Sequence, residues 1–335
     1  MGRFLAFGEV MLRLSPPGRQ LLLQTPGLDV WTAGAEANVA SALAMLGHDA
    51  ALATALPENA LGDAALRSLR ALGVDCRHIQ RLPGRMGLYF VTPGAGMRPT
   101  DVIYDRAHSA FAEAAVEAWD WDNLLDGVAH LHLSGITPAL GPVPAKAALA
   151  AVEAASQRGI RISFDGNYRA RLWESWDSDP RSILTLLVQR AHILFGNHRD
   201  IALLLDRDFG GEGEARRRAS ARAAFEAFPN LEVIASTARQ VIDSDHHHLS
   251  ARIDTPDGHA QSEEIALSGI VDRIGAGDAF ASGVLDALLN GRSIEAAAAN
   301  GLALTALKHS LPGDASLFTR RDLESFSIAG VDVRR

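Results

Sequence analysis

The stretch Asp272–Phe280, DRIGAGDAF, places two glycines around one alanine and an aspartate directly after them. Gly275, Ala276 and Gly277 make a turn with almost no side chains. Phe280, Val284, Leu285, Leu288 and Leu289 then recur at helical spacing on one face. A glycine turn entering a helix leaves main-chain N–H groups unpaired, and the helix dipole favours an anion there. Without Cβ atoms, Gly275 and Gly277 let a phosphate approach closely. A carboxylate beside such a site is electrostatically odd unless it has a task. Accepting the proton of a hydroxyl that attacks a phosphoryl group is such a task, and a positioned base contributes about 10²–10⁴-fold. Each well-aimed anion-hole donor adds about 3 kcal/mol. Positioning and electrostatics of this kind are what phosphoryl transfer requires. The plain alternative is a glycine turn with Asp278 as an ordinary helix-start residue. A Walker A loop is excluded by the missing lysine, and a dinucleotide loop by Phe280 where the third glycine belongs.

A chain of 335 residues with 47% apolar and 21% charged residues can bury a large single core. Its formal net charge is −8, and the longest basic run, Arg216-Arg217-Arg218, sits among acids and reads as a solvated helix face. That argues against a nucleic-acid partner. Cys76 is the only cysteine, so neither an internal disulfide nor a thiolate metal cluster forms. The opening MGRFLAFGEVMLRL has no long apolar core or cleavage site, and no run of 18 apolar residues exists. The expectation is a cytoplasmic enzyme without a membrane partner.

Short apolar runs alternate with amphipathic ones. Strands are expected at Phe4–Phe7, Ala129–Leu133, Ile160–Phe164, His192–Phe195 and Glu232–Ala235. Helices are expected at Ala37–Leu46, from a cap at Asp63 through Leu72, at Ala145–Gln157, Arg181–Arg190, Asp278–Leu289 and Ser293–Lys308, with one or two more before Glu232. Gly210–Arg218 reads as a loop entering a helix. This β-α alternation implies an α/β fold, a mainly parallel sheet with helices on both faces. Two stretches break the pattern: turn-rich Glu9–Trp31, and Met86–Tyr104, which reads as a hairpin. A small projecting sheet suits both.

The GAGD turn resembles the motif of ribokinase-like (PfkB) carbohydrate kinases. GAEANVASALAMLG at Gly34–Gly47 is similar to that family's first sugar-binding motif. Within the family, GRMGLYF at Gly84–Phe90, YDRAHSAFA at Tyr104–Ala112 and DGNYRARLW at Asp165–Trp173 look most like 2-keto-3-deoxygluconate (KDG) kinases. The resemblance covers nearly the whole chain. It implies one ribokinase-like three-layer α/β/α domain over residues 1–335, with a small β-lid from about residues 9–33 and 86–104. It implies ATP-dependent phosphorylation of a sugar acid at its terminal hydroxyl. Asp278 is then the base, and the Gly275–Gly277 amides are the anion hole. Gly34 and Asn38 contact sugar hydroxyls, Tyr89 and Tyr104 line the pocket, and Arg106 and Arg169 address the carboxylate. Asn167 and Asn197 face the nucleotide phosphates or their Mg²⁺. The resemblance leaves room for a monovalent cation near Asp272, and for a homo-oligomer formed through the lid.

The residues support an acidic substrate independently, because a guanidinium fork binds a carboxylate at two points. For Arg106 the competing reading is an ion pair with Asp101 or Asp105, and for the tyrosines it is strand packing. The sequence also departs from the family pattern. Asp200 stands where a glutamate is usual and reaches Mg²⁺ only through water. VIASTARQV, Val233–Val241, lacks the glycines of a nucleotide loop, leaving Ser236, Thr237 and Arg239 as its contacts. Arg273 stands where a small hydroxyl residue is common, and Ala33 where a glycine is. His246-His247-His248 reads as a solvated hairpin tip, since consecutive histidines do not converge on one metal. His130 and His132 alternate along a buried strand and read as core. The competing functions are a fructokinase or other sugar kinase, and an inactive sugar sensor.

Overall fold

The structure, a computed structural model, describes residues 2–326. Met1 and the last nine residues of the expected single domain lie outside them. Fourteen strands are Arg3–Phe7 (β1), Met11–Ser15 (β2), Asp29–Ala33 (β3), Ala50–Pro57 (β4), Ile79–Leu82 (β5), Gly87–Thr92 (β6), Asp101–Asp105 (β7), Val128–Ser134 (β8), Arg161–Asp165 (β9), Ile193–Phe195 (β10), Val233–Val241 (β11), His246–Asp254 (β12), His259–Gln261 (β13) and Ile265–Ser268 (β14). The helices are Ala35–Met45 (α1), Ala60–Ala71 (α2), Trp121–Leu124 (α3), Ile136–Ala139 (α4), Pro142–Gln157 (α5), Ala170–Trp173 (α6), Pro180–Val188 (α7), His198–Leu205 (α8), Gly213–Ala227 (α9), Ala276–Leu289 (α10), Ile294–Lys308 (α11) and Arg320–Glu324 (α12).

The main sheet runs β13-β12-β11-β10-β9-β8-β1-β4-β5, with β14 also on β12. From β11 to β5 every pairing is parallel, and β12 to β14 add an antiparallel edge. Strand alternation explains the layers. Leu5 and Phe7 join a core with Ala148, Leu187 and Ala224 of α5, α7 and α9. Phe4 and Ala6 join the opposite core, with Val39, Phe280 and Ala297 of α1, α10 and α11. A second sheet of four strands, ordered β3-β2-β6-β7, lies in the two stretches that break the α/β pattern.

Four sequence expectations are corrected. Asn59, not Asp63, caps α2: its side chain accepts from Leu61 and Gly62 amides, while Asp63 lies in the first turn. Val233–Val241 is not a strand followed by a loop. Without glycine to break it, and with β12 beside it from Ile234 to Val241, it stays extended throughout. His246-His247-His248 begins β12, and the tip lies just before it. His247 is buried edge-on to His309, and His248 bonds to Glu264. The basic run is also more than a solvated face, since Arg218 bonds Asp254 and the carbonyls of Thr255, Pro256 and Gly258. His130 and His132 are core as expected: both face the Ser163 hydroxyl, and burial pushes each down to about 3.

Helices α10 and α11 pack with almost no gap. A Cβ on Gly283 would stand 2.4 Å from the Asn300 carbonyl. Gly283→Ala therefore pushes the two helices apart, at a cost of about 1–3 kcal/mol. Because α10 carries Asp278, the variant is expected to lose both melting temperature and kcat, read by calorimetry and steady-state rates.

Candidate active site

Helix α10 starts at Gly275, which has φ 77°. A Cβ there would meet the Asp314 carbonyl at 1.9 Å, so both backbone conformation and space demand glycine. Nothing stands within 4 Å of a Cβ at Gly277, whose open side is exposed. The Ala276 amide makes a 3.3 Å turn bond to the Arg273 carbonyl. The first-turn N–H groups after it have no intrahelical acceptor. Asp278 sits in this first turn with its carboxyl in the cleft.

Asp278 is held from the other end of the chain. Asn38, buried on α1, donates from Nδ2 to Asp278 Oδ2 at 2.7 Å. Burial, opposed by that bond and reinforced by Asp165, Asp314 and Glu36, pushes the Asp278 carboxyl up to about 8. Glu36, two residues before Asn38, accepts from the Ser134 amide and hydroxyl at 3.0 and 2.6 Å, and its pKa is raised by burial. Asp165, at the end of β9, is pushed up to about 7 by burial and by Asp200.

A single cleft of about 720 Å³ collects the residues singled out from sequence. Gly34, Asn38, Tyr89, Tyr104, Arg106 and Arg169 line it, as do Asn167, Asn197, Asp200, Ser236, Thr237 and Arg239. The turn Gly275–Gly277 and Asp278 complete it. Their surroundings differ from expectation in four places. Arg106 pairs with neither Asp101 nor Asp105. It is buried and directs Nε and Nη2 at Glu9 Oε2, at 2.8 and 2.5 Å, while Asp105 is held by Arg85. Arg169 is exposed, and its guanidinium donates to the Tyr168 carbonyl. Asn197 and Asp200 form a capping box on α8: Asn197 Oδ1 accepts from the Arg199 amide and Asp200 Oδ2 from the Asn197 amide. Ser236, Thr237 and Arg239 reach the cleft from strand β11 rather than from a loop.

Tyr89 and Tyr104 face each other across β6 and β7 with ring centroids 5.7 Å apart, and the Arg106 guanidinium lies over Tyr104. Tyr89 is buried and donates its hydroxyl to Asp314 Oδ2. Asp314 also receives Arg13 Nη1 at 2.9 Å, and the same Nη1 stands 2.6 Å from Asp272 Oδ2. Strand β2 is thus tied by charge to the segment behind the glycine turn. Sequence reasoning missed Asp314, Glu9 and Arg13. LPGDAS at Leu311–Ser316 reads locally as a turn, and the distance along the chain hides its approach to Gly275.

Among the described residues no three-member His/Cys/Asp/Glu group could hold a metal by itself. Asp165 and Asp200 instead both line the cleft, and the Asp200 charge helps raise the pKa of Asp165. That suits Mg²⁺ arriving with a nucleotide, since Mg²⁺ typically takes one or two carboxylates plus phosphate oxygens and water.

The parallel sheet, the glycine turn at a helix start and the carboxylate beside it define a phosphotransferase of the ribokinase-like fold. The chain belongs to the pfkB family of carbohydrate kinases, whose sequence profile matches residues 1–319. It is 34% identical over 318 residues to 2-dehydro-3-deoxygalactonokinase of Haloferax volcanii, covering 95% of this chain and 94% of that protein. It superposes on the crystal structure of 2-dehydro-3-deoxygluconokinase from Thermotoga maritima with a TM-score of 0.91 and 37% identity, covering 97% of this chain and 98% of that one. A PfkB family carbohydrate kinase from Listeria grayi gives a TM-score of 0.89 at 33% identity, covering 96% and 98%.

An aspartate raised from 3.8 to about 8 binds its proton more tightly when folded. Its contribution to stability is complete below about 4 and is lost as pH rises through about 8. Stability of the unliganded protein is therefore expected to fall between pH 5 and pH 9. Asp278→Asn is expected to flatten that fall and raise the melting temperature at pH 8, measured by thermal unfolding across pH.

Proposed function

We propose that the protein transfers the γ-phosphoryl group of ATP to the terminal hydroxyl of a 2-keto-3-deoxy sugar acid, with 2-keto-3-deoxygluconate as the first candidate. The observation that carries this reading is the Asn38–Asp278 hydrogen bond beside the open face of Gly277. It aims a carboxylate at the place where an alcohol and a phosphate would meet. Asp278 takes the hydroxyl proton, and the Gly277 and Asp278 amides hold charge on the phosphoryl oxygens. Asn167, Asn197, Ser236, Thr237 and Arg239 lie on the nucleotide side. Asp165 and Asp200 face the Mg²⁺ that ATP brings, Asp200 through water, and that ion offsets phosphate charge.

Gly34 and Asn38 face the sugar hydroxyls, and Tyr89 and Tyr104 flank the sugar. Its carboxylate meets Arg169 and the one Arg106 nitrogen, Nη1, not engaged by Glu9. The four-stranded sheet acts as a lid. Closing it over the cleft excludes water and protects ATP from hydrolysis. Its two edge strands, β3 and β7, expose Val30 and Ile103 respectively, which suits pairing of two lids in a homo-oligomer. A single domain and a cytoplasmic, ATP-supplied setting complete the reading.

One observation favours a neutral sugar instead: Glu9 already answers most of the Arg106 fork. A coupled assay for ADP release across gluconate- and galactonate-derived 2-keto-3-deoxy acids, fructose and ribose decides between them. Sugar-stimulated ADP with the acids and not the neutral sugars is expected. The reverse ranking would replace the substrate, and no stimulation by any sugar would overturn the kinase.

Arg169→Ala is expected to raise KM for the acid by on the order of tenfold with kcat less affected, as for lost ground-state binding. An unchanged KM would remove Arg169 from the pocket. Arg106→Ala is a poorer probe because it strands buried Glu9, at about 3–5 kcal/mol of stability. Asp278→Asn is expected to abolish turnover while sugar binding survives. In the wild type, kcat/KM should climb with pH toward about 8, the value to which Asp278 is pushed, because only the ionised carboxyl accepts a proton.

A further inference from the structure

Lys308 ends α11 and is completely buried. A lysine is almost never fully buried unless its charge is answered. Its ammonium donates to the Leu311 carbonyl at 3.2 Å and makes no direct ion pair among the described residues. Asp272, Asp314 and Asp278 nonetheless surround it electrostatically, with Arg13 as the neighbouring like charge, and burial pulls its pKa down.

The segment that Lys308 fastens is the wall behind the glycine turn. The His309 carbonyl accepts from the amides of Val271 and Asp272. The Gly313 amide donates to Asp272 Oδ2, while Asp272 Oδ1 accepts from the Ile274 amide. The Asp314 carbonyl sits against Gly275. Between Lys308 and this wall, the charges balance. Two cations, Arg13 and Lys308, stand against two carboxylates, Asp272 and Asp314. Without Lys308 one negative charge would be uncompensated directly behind the place where phosphate charge accumulates.

We propose that Lys308 is a built-in cation that holds the 309–314 wall and balances Asp272 and Asp314, so that phosphoryl transfer by this chain needs no monovalent cation from solution. It is a positioning residue, acting on the glycine turn through Asp272, Leu311 and Asp314 rather than on the reacting atoms. A tethered ammonium is present in every folded molecule, whereas a dissolved ion occupies such a place only in proportion to its concentration. The inference rests on the kinase reading above.

The test is a set of initial rates, using whichever sugar is turned over, in K⁺, Na⁺ or tetramethylammonium as the sole monovalent cation at equal ionic strength. The wild type is expected to run equally in all three. Lys308→Met is expected to lose on the order of tenfold in kcat, since a like charge is left unbalanced near the phosphate. Lys308→Ser, which leaves room for an ion, is expected to regain activity in K⁺ but not in tetramethylammonium. A merely structural lysine would give no ion-selective rescue. Wild-type rates several times higher in K⁺ would overturn the inference and leave the kinase intact. So would a folded Lys308→Met with wild-type kcat, or a Lys308→Ser that K⁺ does not restore. The wild-type series decides alone if neither variant folds. Turnover of no sugar in any salt would overturn the kinase reading itself, and the inference with it.

Discussion

A hydrogen bond of 2.7 Å from Asn38 to Asp278 joins two helices whose contacting residues are 240 positions apart. Most of the fold can be understood as what makes that bond possible. Helix α1 follows the sequence segment that crosses from β1 into the small sheet, and α10 follows the antiparallel edge at the other end of the main sheet. Both pack on the same face, in one apolar core that includes Val39, Leu43, Phe280 and Val284. Each helix presents its first turns to the cleft. That is where a parallel sheet with helical connections gathers ligand-binding loops. Fixing the carboxyl from outside its own helix matters because an exposed aspartate would turn to solvent and ionise early. Held in the cleft among Asp165, Asp314 and Glu36, it keeps an unusually high proton affinity.

The same crowding makes the cleft an electrostatic compromise. Glu36, Asp165, Asp200, Asp278 and Asp314 all have raised pKa values, and in each burial is the largest cause. Stability alone would not assemble five such groups, because taking a carboxylate out of water is costly unless it is paired. Arg13 and the Tyr89 hydroxyl answer Asp314, and hydroxyls and an amide answer Glu36. Asp278, Asp165 and Asp200 are each answered by one donor, the Asn38 side chain and the Asn167 and Asn197 amides. These are the positions where a substrate hydroxyl and a metal-bound nucleotide would bring the missing partners. Clustered carboxylates with raised pKa values are a pattern typical of functional sites.

Legibility in the sequence followed the range of the interactions. The alternation of β1 and the amphipathic helices were readable because their patterns repeat within a few residues, and every chosen cleft residue does reach the cleft. The glycine turn was readable because its chemistry is contained in four consecutive residues. What failed was either competitive or distant. Asn59 out-competes Asp63 as a cap because it sits before the first turn. β11 continues past Ala235 because β12 supplies a hydrogen-bonding edge that no local pattern announces. Glu9 answering Arg106, Asp314 answering Tyr89, and the tie from Arg13 to Asp272 all join remote segments. A single sequence shows the charges and not the pairings.

Those unseen pairings bear on selectivity. Arg106 comes to the cleft already held by Glu9, and Glu9 Oε1 is buried without a hydrogen-bond partner. A guanidinium fixed in this way loses little rotamer freedom when a second anion arrives, which favours a rigid, correctly oriented carboxylate over a merely charged one. A neutral sugar would leave the Arg106–Glu9 pair undisturbed but would bring a hydroxyl able to donate to the orphaned Oε1. An acid would share the guanidinium and be drawn by exposed Arg169, which lines the same cleft. The choice between them therefore rests on a balance of two arginines and one glutamate. Two of the three, Glu9 and Arg106, flank strands β2 and β7 of the small sheet, so in the proposed reading substrate contact and lid share these side chains.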